Sequence, residues 1–248
     1  MVMSTASAYL DTFRQNGHRI ATIRRTLVNY TQTQKQLAAI EALANRLIQK
    51  AGGEPAFKKV PGYRYATCIS INDAIVHSPP LGQLHSGDLV TLDTGMSYHG
   101  TTSDTAVSFV IGPPTPFQSH FLNVGRRTLK KAIAAATVGH KVYHLAKTIQ
   151  THIEAAGFNV TRNLTGHGLG QTMHEPPPIP CFISKDPQLN QPLTAGMVLA
   201  IEVMYMAGNW PLKTDPDGWT MRTVDGSLSA VFEEDILITP RGPEVLTN

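Results

Sequence analysis

Four acidic residues sit where an isolated charge is costly. Asp93 ends the apolar run that begins at Leu89, Asp104 opens the run that follows, Glu202 closes Val198 to Ile201, and Glu233 lies inside Val231 to Thr239. Burying an ionised carboxylate without a compensating charge costs several kcal/mol or more. Metal cations would supply that charge. A fifth candidate ligand, His167, lies in Gly166-His167-Gly168-Leu169-Gly170, where the glycines let backbone approach closely while one imidazole projects. Four carboxylates and one imidazole, with no thiolate, form an oxygen-rich set suited to Mn, Fe, Co or a catalytic Zn, and carboxylates bridging two ions would make a co-catalytic hydrolytic pair. His77 and His174 are two further candidates. For any one of the histidines alone, a structural role is the commoner explanation.

These side chains need elements to present them. Thr33 and Gln36 read as a capping box ahead of Leu37, Ile40, Leu43, Ala44, Leu47 and Ile48, whose spacing predicts a helix ending at Gly52-Gly53. Leu145, Ile149 and Ile153 predict a second helix before Gly157, and Leu122, Leu129, Ala132 and Ile133 a third. Residues 67–71, 89–93, 105–111, 197–204 and 231–238 read as strands, and a polar, Gly-containing loop between Asp93 and Asp104 would fold them together like a hairpin. The Pro-rich stretch 176–180 reads as a rigid loop. The mixture predicts an α+β fold. Leu84-His-Ser-Gly-Asp-Leu-Val-Thr-Leu-Asp93 also lines up with Leu193-Thr-Ala-Gly-Met-Val-Leu-Ala-Ile-Glu202. Each copy is a turn, a strand and a carboxylate, which suggests two related halves feeding one centre; a chance match of short apolar strands is the competing explanation.

With 248 residues and 42% hydrophobic content, the chain can bury a sizeable core, and one domain is expected. The net charge of +3 arises from 21 basic and 18 acidic residues spread along the chain, leaving no dense basic stripe for nucleic acid. Arg14, His18, Arg19, Arg24 and Arg25 cluster early, first as a solvated helix face and second as a surface for an acidic partner such as ribosomal RNA. Cys68 and Cys181 read as free thiols in a reducing compartment. The first residues, Met1 to Ser7, lack the basic and apolar parts of a secretory signal, and no run is long enough to span a bilayer, so the expected location is cytoplasmic with no membrane partner.

Taken in order, Asp93, Asp104, Gly-His-Gly-x-Gly at 166–170, His-Glu-x-Pro from His174, Ile-Glu at 201–202 and Phe-Glu at 232–233 resemble the methionine aminopeptidase pattern. The resemblance runs from about residue 34 to the C-terminus and includes Cys-Ile-Ser-Ile-Asn at 68–72, Val-His at 76–77, His-Gly-Thr-Thr-Ser-Asp at 99–104, Gly-Met-Val-Leu-Ala-Ile-Glu at 196–202, Asp-Gly-Trp-Thr at 217–220 and Ser-Leu-Ser-Ala at 227–230. Glu202 and Glu233 lie too close together for the long insertion of type II enzymes, so the likeness is to type I without a zinc-binding extension. It implies the pita-bread fold, a curved antiparallel sheet with covering helices and internal pseudo-twofold symmetry. Residues 1–33 are expected to form an N-terminal extension and first helix within the same unit, and 34–248 a single catalytic domain.

The resemblance also implies roles. Two divalent ions (Co, Mn, Fe(II), Zn or Ni) would be held by Asp93 on one side and by His167 and Glu202 on the other, with Asp104 and Glu233 bridging. His77 would contact the peptide amide, His174 would stabilise the oxyanion, and Glu202 would shuttle a proton. Tyr63, Cys68, Met173 and Trp219 would line the methionine pocket, an apolar and polarizable set suited to a thioether. Substrates would be N-terminal methionyl peptides and nascent chains with a small second residue, met by a monomer in transient contact with ribosomes. Three local departures stand out: Ser78 in place of Gly, Val203 in place of Pro, and Glu234-Asp235 in place of His-Thr. None removes a ligand. Two rival readings are an Xaa-Pro aminopeptidase or prolidase sharing the five ligands, and a pita-bread binding protein without catalysis.

Overall fold

The computed structural model describes residues 5–248, so the part of the signal-peptide reading that rests on Met1 to Ser4 lies outside the described residues. The first half contains α1 (Thr5–Thr33), α2 (Leu37–Lys50), β1 (Glu54–Pro55), β2 (Thr67–Ile71), β3 (Ala74–Val76), β4 (Leu89–Tyr98) and β5 (Thr101–Val110). The second contains α3 (Pro116–Ala135), α4 (Val142–Ala155), β6 (Asn159–Val160), β7 (Thr165–Leu169), β8 (Glu175–Pro180), β9 (Val198–Met206), β10 (Leu212–Thr214), β11 (Met221–Thr223), β12 (Ser229–Thr239) and β13 (Gly242–Val245). All strand pairs are antiparallel. One sheet runs β1-β4-β2 with β5 also on β4, and a second runs β13-β12-β9-β7-β8 with β6 on β9. A short sheet, β10-β11-β3, joins the halves.

The helices form because their apolar faces have sheets to cover. Leu37, Ile40, Ala44 and Ile48 of α2 pack with Ile69, Val90 and Leu92 of the first sheet, together with Ile20 and Leu27 of α1. In the second half Leu145, Ile149 and Ile153 of α4 join Phe121 and Leu129 of α3 against Leu199 and Ile201 of β9. Each fully buried aliphatic side chain contributes roughly 1.5–3 kcal/mol.

The internal echo has a backbone counterpart. The Leu84 amide donates to Lys35 O at 2.7 Å and the Leu193 amide to His140 O at 2.7 Å, while Leu37 donates to Gly82 O and Val142 to Gln191 O, both at 3.1 Å. Gly87 and Gly196 take φ of 92° and 93°, and their amides donate to Ile111 O and Ile238 O. A positive φ in this range is open to glycine at little cost. The two halves therefore repeat the same tie between a helix start, a turn and a sheet.

Three local expectations are corrected. Thr33 does not cap α2, because it is the last residue of α1, where its hydroxyl donates to Tyr30 O; Gln36 takes the N-cap position without a side-chain cap. The segment between Asp93 and Asp104 is not a loop, since β4 and β5 pair without interruption from Leu89↔Val110 to Tyr98↔Thr101. Only His99 and Gly100 turn, both at positive φ as a tight two-residue hairpin demands. Residues 176–180 are strand, pairing with β7 rather than forming a free loop.

The halves meet where β5 lies beside β12 without a backbone ladder, and hydroxyls do the joining. Ser108 Oγ donates to Val231 O at 2.9 Å, accepts from Val231 N at 2.8 Å and lies 2.7 Å from Thr91 Oγ1. Thr105 Oγ1 donates to Glu233 O, and Ser103 Oγ donates to Asp235.

Candidate metal centre

Strand register brings the candidate ligands to one place. Glu202 and Glu233 are direct partners across β9 and β12, and His167 faces Ala200, two residues before Glu202 on the same face of β9. In the first half Asp93 pairs with Ala106 and Asp104 with Gly95, so the alternation of β4 and β5 puts both carboxylates on one face. Ligand atoms of Asp104, His167 and Glu233 all lie within 4.8 Å of one another, and these three residues are buried. Glu202 Oε1 lies 3.8 Å from His167 Nε2. Asp93 interacts directly with Asp104 and lines the same pocket.

The electrostatics are those of a cluster awaiting positive charge. Burial first, and mutual repulsion second, raise Asp93, Glu202 and Glu233 well above the ordinary carboxylate range, and burial raises Asp104 to about 6. Burial pushes His167 down to about 4, aided by His174. Asp93 Oδ1 and Glu233 Oε1 are buried without a hydrogen-bond partner. His167 Nδ1 donates to Gly168 O at 3.0 Å, which fixes the tautomer and leaves Nε2 with a free lone pair. Orphaned carboxylate oxygens facing a neutral imidazole suit divalent cations, and the residues fit such a group on chemistry as well as position.

Above this cluster opens a pocket of about 340 Å³ that also contains His77, His174, Tyr63, Cys68, Met173 and Trp219. Every site residue expected from the sequence thus lines one cavity. Tyr63 meets Trp219 edge-on at 4.9 Å and its hydroxyl donates to Thr67 O at 2.9 Å, so the aromatic wall is fixed. His77 and His174 open to solvent on one side, yet desolvation by the pocket around them lowers both below the ordinary 6.5, with His174 adding to the shift at His77. The backbone departure at 77–78 falls on the histidine: His77 takes φ of 61°, while Ser78 is absent from the positive-φ residues and its hydroxyl accepts from Ser70 Oγ.

Sequence reasoning missed several contributors. Phe57 completes the aromatic wall but stands beside Lys58 and Lys59, and Leu164 lies in an irregular segment. In the sequence Asp235 stands out only as a departure. Two residues beyond Glu233, it shares that face, is fully buried, and accepts from the Asp104 amide at 3.0 Å. Strand alternation is the signal that could have placed it beside Glu233.

The pattern of metallopeptidase family M24 matches residues 11–240. The methionine aminopeptidase 1 of Bacillus subtilis is 34% identical over 248 residues, covering 100% of this chain and 99% of its own length. The crystal structure of methionine aminopeptidase from Thermotoga maritima superposes with a TM-score of 0.94 at 36% identity, each chain covered in full at 100%. The prolidase from Pyrococcus furiosus shares the fold at a TM-score of 0.78, with 21% identity over 97% of this chain and 64% of that one. With its pita-bread fold and its buried acidic centre, the chain belongs to metallopeptidase family M24 and, within it, to the methionine aminopeptidases.

Proposed function

We propose that this chain removes the N-terminal methionine from peptides and nascent proteins whose second residue is small. The observation that carries the reading is the junction, in one cavity of about 340 Å³, of the carboxylate and imidazole cluster with a wall of Tyr63, Cys68, Met173 and Trp219. An unbranched thioether side chain fits such a polarizable, aromatic wall. Asp93 would hold one divalent ion, His167 and Glu202 the other, with Asp104 and Glu233 shared. When bound, the ions supply Lewis acidity and water of lowered pKa. His174, kept neutral near pH 7, donates an N–H to the scissile carbonyl oxygen as negative charge develops there. His77 donates to the peptide's amide region. The Glu202 carboxylate takes a proton from the attacking water and passes it to the leaving nitrogen. Trp219, Tyr63 and Met173 pack around the methionine side chain and exclude solvent from it.

The described part of the N-terminal extension, residues 5–33, belongs to the same catalytic unit as 34–248 in this reading. Asn16 Nδ2 donates to Met96 O and Thr101 O at 3.1 and 3.2 Å, tying α1 to the hairpin that carries Asp93 and Asp104. A cytoplasmic monomer meeting nascent chains is the matching context. No helix among the described residues is long and apolar enough to cross a membrane. Ribosome contact through the basic face of α1 has less support, because Arg14 is paired with Asp11 and Glu244, and Arg19 donates to Ala51 O and lies over the Tyr98 ring.

The test is a peptide panel varying the first two residues, assayed with Mn, Fe(II) and Co. Met-Ala and Met-Gly peptides should release methionine. Cleavage of Xaa-Pro peptides with Met-Ala peptides untouched would turn the assignment to a prolidase-type enzyme, and a folded protein that takes up no metal would turn it to a binding role.

A further inference from the structure

The N-terminal helix reaches the back of the metal centre through one side chain. Arg24 is only 11% exposed. Its Nη1 donates to Thr105 Oγ1 and, at 3.4 Å, to Glu233 O; its Nη2 donates to Glu234 Oε1 at 3.1 Å and to Thr247 O at 2.9 Å. Thr105 directly follows Asp104, and Glu234 directly follows Glu233. One guanidinium therefore touches the chain next to each of the two carboxylates assigned above to both ions. Thr105 Oγ1, which accepts from Arg24, itself donates to Glu233 O at 3.2 Å, so the contacts form a chain across the seam.

Side chains rather than a backbone ladder set the spacing at that place in the fold. β5 and β12 share no backbone ladder, and among the described residues the bonds near Asp104 and Glu233 are those of Thr105, Ser103 and Asp235. Arg24 spans the seam at Thr105 and Glu234 with a planar fork whose donors reach several acceptors at once, which an ammonium cannot reproduce. Glu234 and Thr247 O hold the far limb of the fork, and Thr247 Oγ1 donates to Glu234. The acid that departs from the family pattern thus has a defined partner on α1.

We infer that Arg24 is a positioning residue for the centre: by bridging the residues after Asp104 and Glu233 it sets the separation of the two shared carboxylates, and hence how tightly the second ion is held. The inference rests on the ligand assignment under the proposed function. Arg24 does not line the pocket that holds the ligand cluster.

The experiment compares full-length, metal-stripped wild type, Arg24→Met, Arg24→Lys and Glu234→Gln by calorimetric and visible-absorption titration with Co(II), alongside circular dichroism and melting with chelator. Wild type should take up two Co(II). Arg24→Met should keep its helical signal and bind the second Co(II) about 10-fold to 100-fold more weakly, as for other outer partners of metal ligands, with an altered d–d spectrum. Glu234→Gln, which keeps an oxygen acceptor but loses the charge, should weaken the second ion less than Arg24→Met does, because the contacts of the fork to Thr105, Glu233 O and Thr247 O remain; a loss as large as that of Arg24→Met would place the effect in the Glu234 charge and overturn the inference. An Arg24→Met protein that melts earlier yet binds both ions with wild-type affinity and spectrum would make Arg24 a purely structural residue and overturn the inference. Should Arg24→Met fail to fold, Arg24→Lys decides: weakened second-ion binding upholds the inference, and a wild-type titration overturns it. A wild type that takes up fewer than two Co(II) would instead count against the ligand assignment itself.

Discussion

At Asp104 and Glu233 a carboxylate that is costly to bury becomes useful once a cation shares it. Both are raised by burial, and Glu233 keeps one oxygen without a protein partner. Replacing either by Ala should lower kcat/KM for a Met-Ala peptide by about a thousandfold or more, beyond the ~10–100-fold typical of an outer-shell change. Steady-state assays at matched metal concentration check this, and an Asp104→Ala enzyme within tenfold of wild type would refute the shared-ligand role. His174→Ala makes a different demand: metal uptake retained and kcat down by roughly 10²–10³-fold, as when an oxyanion donor is removed. Loss of an ion from that variant would make His174 a ligand. Asp104 and Glu233 were legible because acids inside apolar strands are conspicuous, and His174 through the motif around it. Arg24 was not, since a helical arginine among other basic residues reads as solvated until Glu234 and Thr105 are placed beside it.

Elements were legible where one side faces a core. α2 and α4 show it, with Leu37, Ile40, Ala44 and Ile48 in one and Leu145, Ile149 and Ile153 in the other buried at helical spacing. The strand ends were not, because Thr94, Thr102 and Ser103 look like loop residues yet are buried, with hydroxyls donating to Ala66 O, Gln171 O and Asp235. Polarity marks a loop only when the polar groups need water. The same economy governs the seam, where Ser108 serves both the amide and the carbonyl of Val231. Ser108→Ala leaves those groups buried and unpaired, and should destabilise the protein by about 1–3 kcal/mol. Urea denaturation at fixed metal concentration measures it. A midpoint unchanged from wild type would show that the seam does not depend on this hydroxyl.

Across the whole molecule, the repeat explains half of the centre and symmetry-breaking the other half. Asp93 and Glu202 occupy matching places in β4 and β9, but the partner of Glu202 is Glu233 whereas the partner of Asp93 is Ala106, with Asp104 opposite Gly95 instead. The two halves thus concentrate uncompensated acids at their junction, and the stability of the metal-free protein must carry that load. Asp104 ordinarily titrates near 3.8 and here near 6, so its favourable contribution is complete below 3.8 and lost as pH rises through 6. Asp93, Glu202 and Glu233 shift in the same direction. His167 runs oppositely: lowered from 6.5 to about 4, it contributes fully above 6.5 and loses that contribution as pH falls through 4. Divalent ions bind the ionised carboxylates and the neutral imidazole, so their stabilisation should grow as pH rises from about 4 to about 7. At an ion concentration about 100 times Kd, one site adds about 2.7 kcal/mol, which for a chain of this size raises Tm by roughly 5–10 °C. Paired melts with Mn(II) or with chelator across that range test the account. A metal-induced gain in Tm that stayed constant between pH 4 and 7 would mean that the junction acids are not the groups the ions meet.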